Sequence, residues 1–208
     1  MIRRLLFTFI LVLWLSVVSG GMAFVWSYNH KPGTAATAPL RWPVDSRVPR
    51  TPGRDTLVLL AHPKCPCTRA TVEELSRLMA NCQGRLNVYV LFVRPKGFPE
   101  SWNKTDLWNS AAKIPGVTVL VDEDGVEATR FGAATSGQVL LYDETGTLRF
   151  HGGITESRGH SGDNAGSSTI VSLVNQRFAD RDRTLVFGCP LFDSDSECRT
   201  PNHDNINK

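Results

Sequence analysis

Residues 56–69 read Thr56-Leu57-Val58-Leu59-Leu60-Ala61-His62-Pro63-Lys64-Cys65-Pro66-Cys67-Thr68-Arg69. The first six residues are almost entirely apolar and rich in branched side chains, as in a strand that is buried on both faces. His62 precedes a proline, which favours extended backbone at His62 and should end the strand there. Two cysteines follow, one residue apart. The stretch therefore predicts a buried strand that delivers two thiols to the edge of a sheet.

A helix should begin at the cysteines. The apolar residues downstream recur at helical spacing, at Val72, Leu75, Leu78 and Met79. Pro66 suits the first helical position, because the N–H that proline lacks has no partner there. This assignment makes Cys65 the N-cap and Cys67 the second helical residue.

A sulfur at a helix N-cap lies where a negative charge is favoured. Unpaired backbone N–H groups, the positive end of the helix dipole and nearby cations all stabilise a thiolate and lower the pKa of the thiol. Cys65 is therefore the predicted nucleophile and Cys67 the second catalytic thiol. The predicted supporting residues are His62, Lys64, Pro66 and Arg69.

The spacing of the two cysteines has a redox consequence. Side chains two residues apart on a helix do not face each other, so a Cys65–Cys67 disulfide should be strained and easily reduced. Two other interpretations stay open, a purely structural role and metal binding. In the second, Cys65 and Cys67 are thiolate ligands of Cu(I) in a metallochaperone, and His62 or Cys189 completes the site. A zinc site normally needs a second pair of ligands, and the sequence offers no Cys-x-x-Cys or His-x-x-His pair to supply it. No resident metal or other cofactor is therefore predicted.

Length and composition limit the class of protein. A chain of 208 residues with 41% hydrophobic content can form one substantial domain with appendages. The formal net charge of +3 is small and dispersed, which argues against a nucleic-acid partner.

The N-terminus carries a targeting signal in residues 1–26. Arg3 and Arg4 precede an uncharged run that, at ~1.5 Å per residue, spans ~33 Å, enough to cross a bilayer core of ~30 Å. The prediction is a single uncleaved anchor with both arginines in the cytoplasm and the rest of the chain on the periplasmic or extracytoplasmic side. The alternative is a signal cleaved after Gly20, which would release a soluble exported protein. Either segment places the remainder in an oxidising compartment.

The rest of the chain divides into three parts. Residues 27–53 hold five of the 12 prolines and predict a semi-extended tether. Residues 54–180 predict the folded domain, and residues 181–208 a cysteine-containing tail. Strands are predicted at 56–61, 86–93, 117–121, 139–142 and 147–150, and helices after Pro66 and near 101–113, 126–131 and 167–178. This order predicts an α/β fold, a mixed sheet with helices on both faces and the thiols at a strand's carboxyl end.

Three stretches of the domain resemble the thioredoxin-like fold, and specifically its membrane-anchored TlpA/redoxin branch, with a narrower likeness to RedB-type exported redoxins. They are residues 57–78 with the dithiol, residues 119–125 followed by Arg130-Phe131-Gly132, and residues 139–148 with the terminal hairpin. The resemblance covers roughly residues 54–180. It implies a thiol–disulfide oxidoreductase that acts on the cysteines of other exported proteins, often during cytochrome c or copper-oxidase assembly.

The sequence departs from that family at two places. The motif is Cys-Pro-Cys rather than Cys-x-x-Cys, and Thr135-Ser136-Gly137-Gln138 stands where the family has a cis-proline before the hairpin. That proline exposes backbone groups that bind the substrate peptide, so the resemblance makes Ser136 and Gly137 the candidate substrate-binding residues. A non-catalytic binding module is a further alternative. Peroxiredoxins also carry a Cys-Pro pair, but with threonine or serine where this chain has His62, which leaves a peroxidase as a minor alternative.

The tail contains Cys189 and Cys198, nine residues apart. One interpretation is a local structural disulfide, and the other makes Cys189 a resolving or relay thiol for Cys65. Arg158 and His160 lie in a glycine-rich loop, which is either a solvated surface loop or a border of the dithiol.

Overall fold

The computed structural model describes residues 1–34, 37–51, 53–82 and 84–192. The elements in chain order are α1 (Ile2–Asn29), β1 (Asp55–Ala61), α2 (Thr68–Cys82), β2 (Leu86–Arg94), α3 (Asp106–Ala112), β3 (Val117–Glu123), α4 (Val126–Arg130), β4 (Gln138–Tyr142), β5 (Leu148–Gly152) and α5 (Ala165–Gln176), with one 3₁₀ turn at Glu100–Trp102. The five strands form one sheet in the order β3-β2-β1-β4-β5. β1 pairs in parallel with β2 and antiparallel with β4, and β4 pairs antiparallel with β5. The predicted mixed sheet and its terminal hairpin are confirmed.

Strand β1 is the centre of the fold, and all seven of its residues are buried. Leu57, Leu59 and Ala61 face the larger hydrophobic cluster, where α2, α3 and α5 cover the sheet. Val58 and Leu60 face a second cluster on the opposite side, which includes α4. Helices therefore lie on both faces, as predicted, and the continuous apolar run of β1 reflects burial on both sides.

Residues 37–51, part of the predicted semi-extended tether, pack against the domain. Ala38 and Val48 are buried in the second cluster, and the Trp42 ring packs edge-on against Tyr142. The Tyr142 hydroxyl donates a hydrogen bond to the carbonyl of Pro39. The physical reason is the shortness of α4, which has five residues and leaves apolar sheet surface that only a neighbouring segment can cover.

Two helix boundaries differ from the sequence predictions because polar residues cap the helices. The predicted helix at 101–113 is divided into the 3₁₀ turn and α3, since the Thr105 side chain accepts a hydrogen bond from the Trp108 N–H at 3.4 Å. α5 begins at Ala165 because the Asn164 side chain accepts from the Ser167 N–H at 2.7 Å.

The N-terminal helix α1 includes the whole uncharged run and continues to Asn29. Its most apolar stretch has a mean hydropathy of 2.2, and none of that stretch is buried against the protein. The helix is long and apolar enough to cross a membrane, and a signal sequence meets the same criteria.

Replacing Leu60 by alanine should lower the free energy of unfolding by about 2–5 kcal/mol, because the side chain is 0% exposed and the change leaves a cavity beside the sheet. Leu40→Ala is the matched control, since that side chain is 76% exposed and loses little contact. Thermal unfolding of the full chain in detergent, followed by circular dichroism, measures both. Equal unfolding temperatures for the two variants would contradict the described packing of β1.

Candidate functional site

The two cysteines of the Cys-Pro-Cys motif lie in a tight turn between β1 and α2. The Cys65 N–H donates to the carbonyl of His62 at 3.1 Å, and the Thr68 N–H donates to the carbonyl of Cys65 at 3.2 Å. These bonds span three residues, so the chain makes successive 3₁₀-type turns before the helix begins at Thr68. The prediction that Cys65 is the N-cap and Pro66 the first helical residue is wrong. Pro66 lies in the turn itself.

Three sulfurs meet at this turn. The Sγ atoms of Cys65 and Cys189 are 2.9 Å apart and hydrogen-bonded, and those of Cys65, Cys67 and Cys189 all lie within 4.8 Å of one another. Cys65 is 3% exposed and Cys67 is 8% exposed, whereas Cys189 is half-buried. All three are free thiols. The prediction that Cys189 approaches Cys65 is consistent with this geometry, and Cys198 lies outside the described residues.

The environment of Cys65 favours its thiolate. Hydrogen bonds from Cys189 and then from Cys67 lower the pKa of the Cys65 thiol strongly, and they outweigh the burial that raises it. The side chain of Thr68 also lowers that pKa. Once Cys65 is ionised, Cys189 is the donor of the pair. Thr68 directly follows the motif, and nothing in its sequence context distinguishes it from an ordinary helix-start residue.

The pKa values of the other two thiols are shifted in the opposite direction. The pKa of Cys189 is raised, first by its hydrogen bond to Cys65 and then by its hydrogen bond to Cys67. At Cys67 the hydrogen bond from Cys189 lowers the pKa, but the bond to Cys65, burial and repulsion by the Cys65 charge outweigh it, and the net shift is upward. These opposite shifts favour ionisation of Cys65 over ionisation of Cys67 or Cys189.

The two cations predicted to support the thiolate are directed elsewhere. The Lys64 ammonium lies 3.5 Å above the ring of Trp102 in a cation–π contact. Arg69 is exposed and lines a shallow groove between α2 and α3 with Glu73 and Leu107. Sulfur donors, rather than these side chains, supply the main stabilisation of Cys65.

His62 lies beside the nucleophile and is neutral at pH 7. Burial lowers the pKa of its imidazole, while the Cys65 charge raises it by a smaller amount. The His62 Nδ1 accepts a hydrogen bond from the Lys64 N–H at 3.2 Å, and the ring packs edge-on against Trp102. The imidazole thus helps to shape the turn that carries Cys65.

The candidate substrate-binding residues Ser136 and Gly137 are brought to the same site. The Ser136 hydroxyl accepts the His62 N–H at 2.7 Å and is hydrogen-bonded to the hydroxyl of Thr68 at 2.7 Å. Gly137 has a φ of +91°, and its N–H donates to the carbonyl of Leu60 at 2.8 Å. These bonds fix the loop before β4 against the end of β1.

The glycine-rich loop also borders the thiols through Arg158. Its guanidinium favours the charged form of Cys67, donates to the carbonyl of Lys31 at 3.1 Å and lies over the ring of Tyr28. The Arg158 N–H donates to the carbonyl of Asn29. Arg158 therefore joins the end of α1 to the site.

A buried carboxylate holds this loop in place. Glu74 of α2 is 3% exposed and accepts hydrogen bonds from the Gly162 N–H at 2.8 Å and from the Asn164 side chain at 3.1 Å. The sequence pattern does not single out Glu74, because the helical spacing of α2 predicts that this residue faces solvent. The loop covers that face instead.

Comparison with known proteins finds no matching protein-family model and no matching curated protein. Solved structures do match. An uncharacterised conserved protein from Geobacillus kaustophilus has a TM-score of 0.57 at 16% identity, over 80% of this chain and 95% of that chain. A hypothetical protein from Sinorhizobium meliloti 1021 has a TM-score of 0.53 at 19% identity, over 77% of this chain and 93% of that chain.

A secreted disulfide oxidoreductase of Mycobacterium tuberculosis, homologous to E. coli DsbE, has a TM-score of 0.43 at 16% identity. The match covers 60% of this chain and 83% of that chain. The chain has a mixed central sheet flanked by helices, as predicted, and shares this fold with the proteins of Geobacillus kaustophilus and Sinorhizobium meliloti.

Proposed function

We propose that this chain is a membrane-anchored thiol–disulfide oxidoreductase in which Cys65 is the nucleophile. The observation that supports the proposal is a buried cysteine whose surroundings favour its thiolate, with two further cysteine sulfurs within 4.8 Å, at the end of a central strand. A thiolate attacks disulfides far better than a thiol does. We also propose that the chain belongs to the TlpA/redoxin branch, or to its RedB-type members, because residues 57–78, 119–125 with 130–132, and 139–148 resemble that branch.

The chemistry is two successive exchanges. The Cys65 thiolate attacks one sulfur of a partner's disulfide, the partner's S–S bond breaks, and the other partner sulfur leaves and takes up a proton. A second thiol of the site then attacks the Cys65 sulfur of the mixed disulfide and releases the partner. The reverse sequence oxidises a pair of partner thiols.

The proposed partners are thiols or disulfides of other exported proteins. Helix α1 serves as the single-pass anchor, with Arg3 and Arg4 on the cytoplasmic side and the three thiols on the periplasmic or extracytoplasmic side. Disulfides persist in that compartment, where an exchange catalyst has substrates.

The double variant Cys67→Ser/Cys189→Ser tests the proposal in the native host. It keeps Cys65 but removes the thiols that resolve a mixed disulfide, so partner proteins should accumulate as adducts that a reductant releases. Non-reducing electrophoresis followed by mass spectrometry measures them. The matched control adds Cys65→Ser to the same double variant and should abolish the adducts. Adducts that persist in that control, or that are missing from the double variant, would contradict the assignment of Cys65.

A second candidate function is Cu(I) binding by a metallochaperone. It is favoured by the same three sulfurs, which lie within 4.8 Å of one another. Three coplanar sulfurs bound to a soft metal at ~2.3 Å are about 4 Å apart, so the Cys65–Cys189 pair, which is at 2.9 Å without metal, would separate on binding. Competition between the protein and a Cu(I) chelator tests it. Cys189→Ser should lose high-affinity Cu(I) binding. If the wild type also catalyses thiol–disulfide exchange, the site supports both chemistries.

A further inference from the structure

A short segment of the tail pairs with the loop before β4. The Ser136 N–H donates to the carbonyl of Cys189 at 2.8 Å, and the Leu191 N–H donates to the carbonyl of Ala134 at 2.9 Å. Thr135 and Pro190 lie opposite each other between these bonds, in an antiparallel bridge. Residues 186–191, here called the tail segment, thus add an extended chain beside the thiols.

The sequence of the tail segment suits this pairing. Thr135 and Pro190 are the pair of residues that exchange no backbone hydrogen bond. The N–H that proline lacks is therefore not needed for the pairing. Phe187, Cys189 and Leu191 are alternate residues of the segment, and the first and last of them are 8% and 5% exposed. Leu191 packs in the second hydrophobic cluster. The two apolar side chains anchor the segment and direct the sulfur between them to Cys65.

Gly188 fits the pairing closely. A Cβ atom at this position would lie 1.9 Å from the carbonyl oxygen of Ser136, so any side chain would force the two segments apart. The φ of Gly188 lies outside the left-handed region, and a larger residue is excluded by the contact rather than by backbone strain.

The two thiols near Cys65 differ as partners for a disulfide. Cys67 is two residues from Cys65, in a turn closed by hydrogen bonds that span three residues. A Cys65–Cys67 disulfide in this turn would be strained. Cys189 is 124 residues away along the chain, and its sulfur is already 2.9 Å from that of Cys65. A disulfide length of ~2.05 Å is reached by a small movement of the tail segment.

We propose, resting on the function proposed above, that Cys189 is the thiol that resolves Cys65 mixed disulfides and that the tail segment is a displaceable strand that delivers it. Because Cys65 is 3% exposed beneath Cys189, the tail segment leaves its edge when a partner reacts and returns to it to expel the partner. An extended, cysteine-containing peptide of the partner and the tail segment compete for the backbone of Ala134 and Ser136.

The atoms and electrons of this step balance. Cys65 holds one sulfur of the partner in a mixed disulfide, and Cys189 loses its proton as its sulfur bonds to the Cys65 sulfur. The partner sulfur leaves with the electron pair and takes up a proton. In sum, the partner's disulfide becomes two thiols, and two thiols of this chain become the Cys65–Cys189 disulfide.

The test uses the full-length reduced protein in detergent micelles, with oxidised glutathione as the model disulfide. Acid quenching and intact mass spectrometry follow the glutathione adduct, and peptide mapping locates the internal disulfide. The wild type should pass through the adduct to a Cys65–Cys189 disulfide. Cys189→Ser should release glutathione at least about tenfold more slowly than Cys67→Ser does, because it lacks the resolving sulfur. Cys82→Ser is the control for loss of a buried thiol away from the site and should behave as the wild type.

Gly188→Val tests the delivery by the tail segment, because it keeps Cys189 but prevents close pairing. At a pH high enough to ionise Cys65 in the variant as well as in the wild type, adduct formation should become faster as Cys65 is uncovered, and release should become slower. A general loss of folding would not move the two rates in opposite directions. Leu185→Val, at a side chain that is 61% exposed, is the control and should change neither rate.

Three outcomes would overturn the proposal. The first is that Cys189→Ser releases glutathione as fast as the wild type does. The second is that Gly188→Val changes neither the rate of adduct formation nor the rate of release. The third is that Cys189 is found in a disulfide with Cys198 in protein whose Cys65 is still active. A wild type that forms neither an adduct nor an internal disulfide would instead refute the proposed oxidoreductase function.

Discussion

Cys65→Ala should lower the rate of thiol–disulfide exchange by on the order of a thousandfold, because it removes the proposed nucleophile, whose thiolate its surroundings favour. The pKa of Cys65 is lowered by its sulfur donors, whereas those of Cys67 and Cys189 are raised. The variant also loses the Cys65 interactions that raise the pKa of both neighbours, so any exchange that remains measures how far Cys67 or Cys189 can replace the missing nucleophile. The measurement is the rate at which the full-length reduced protein opens a fluorescence-quenched disulfide peptide.

Cys82→Ala is the matched control for this prediction. Cys82 is 1% exposed at the end of α2 and packs in the larger hydrophobic cluster, so the same substitution removes a buried thiol that has no part in the site. Its exchange rate should stay within about twofold of the wild type if unfolding is avoided. A Cys65→Ala variant that keeps its activity while Cys67→Ala loses it would make Cys67 the nucleophile.

Local patterns in the sequence were sufficient for the strand and helix that carry the dithiol. The apolar run of β1 and the helical spacing of Val72, Leu75 and Leu78 depend on neighbouring residues alone, and both elements are confirmed. The start of α2 was less predictable. Proline is compatible both with the first position of a helix and with a turn. The hydrogen bonds around Pro66 span three residues, which places Pro66 in a turn.

The position of Cys189 could only be left open from the sequence. It is separated from Cys65 by 124 residues, and it reaches the site through backbone pairing with Ala134 and Ser136, which leaves no side-chain pattern. The packing of residues 37–51 was missed for a related reason. Their proline content predicts a tether. They pack because α4 has only five residues and leaves apolar sheet surface uncovered, and the length of α4 is set by another part of the chain.

The placement of Cys189 leads to the second large effect, on the pH dependence of the site. The largest cause of the lowered pKa of Cys65 is its hydrogen bond with Cys189, so removal of that donor in Cys189→Ala should raise the pKa of Cys65. A thiolate is present above its pKa and is lost as the pH falls through it. The wild type should therefore keep its thiolate in mildly acidic solution, and Cys189→Ala should lose it at a higher pH than the wild type does.

The ultraviolet absorbance of the thiolate, titrated in the full-length protein with Cys65→Ala as the blank, measures this shift. The scale of the effect is large, because a thiol with the ordinary pKa of ~8.5 is ionised in only about one molecule in 300 at pH 6. Cys189→Ser is the matched control, since its hydroxyl can still donate to the Cys65 sulfur and should preserve more of the thiolate than alanine does. If Cys189→Ala titrates as the wild type does, the thiolate of Cys65 is held by Cys67 and Thr68 instead, and the pairing of Cys65 with Cys189 has no part in its activation.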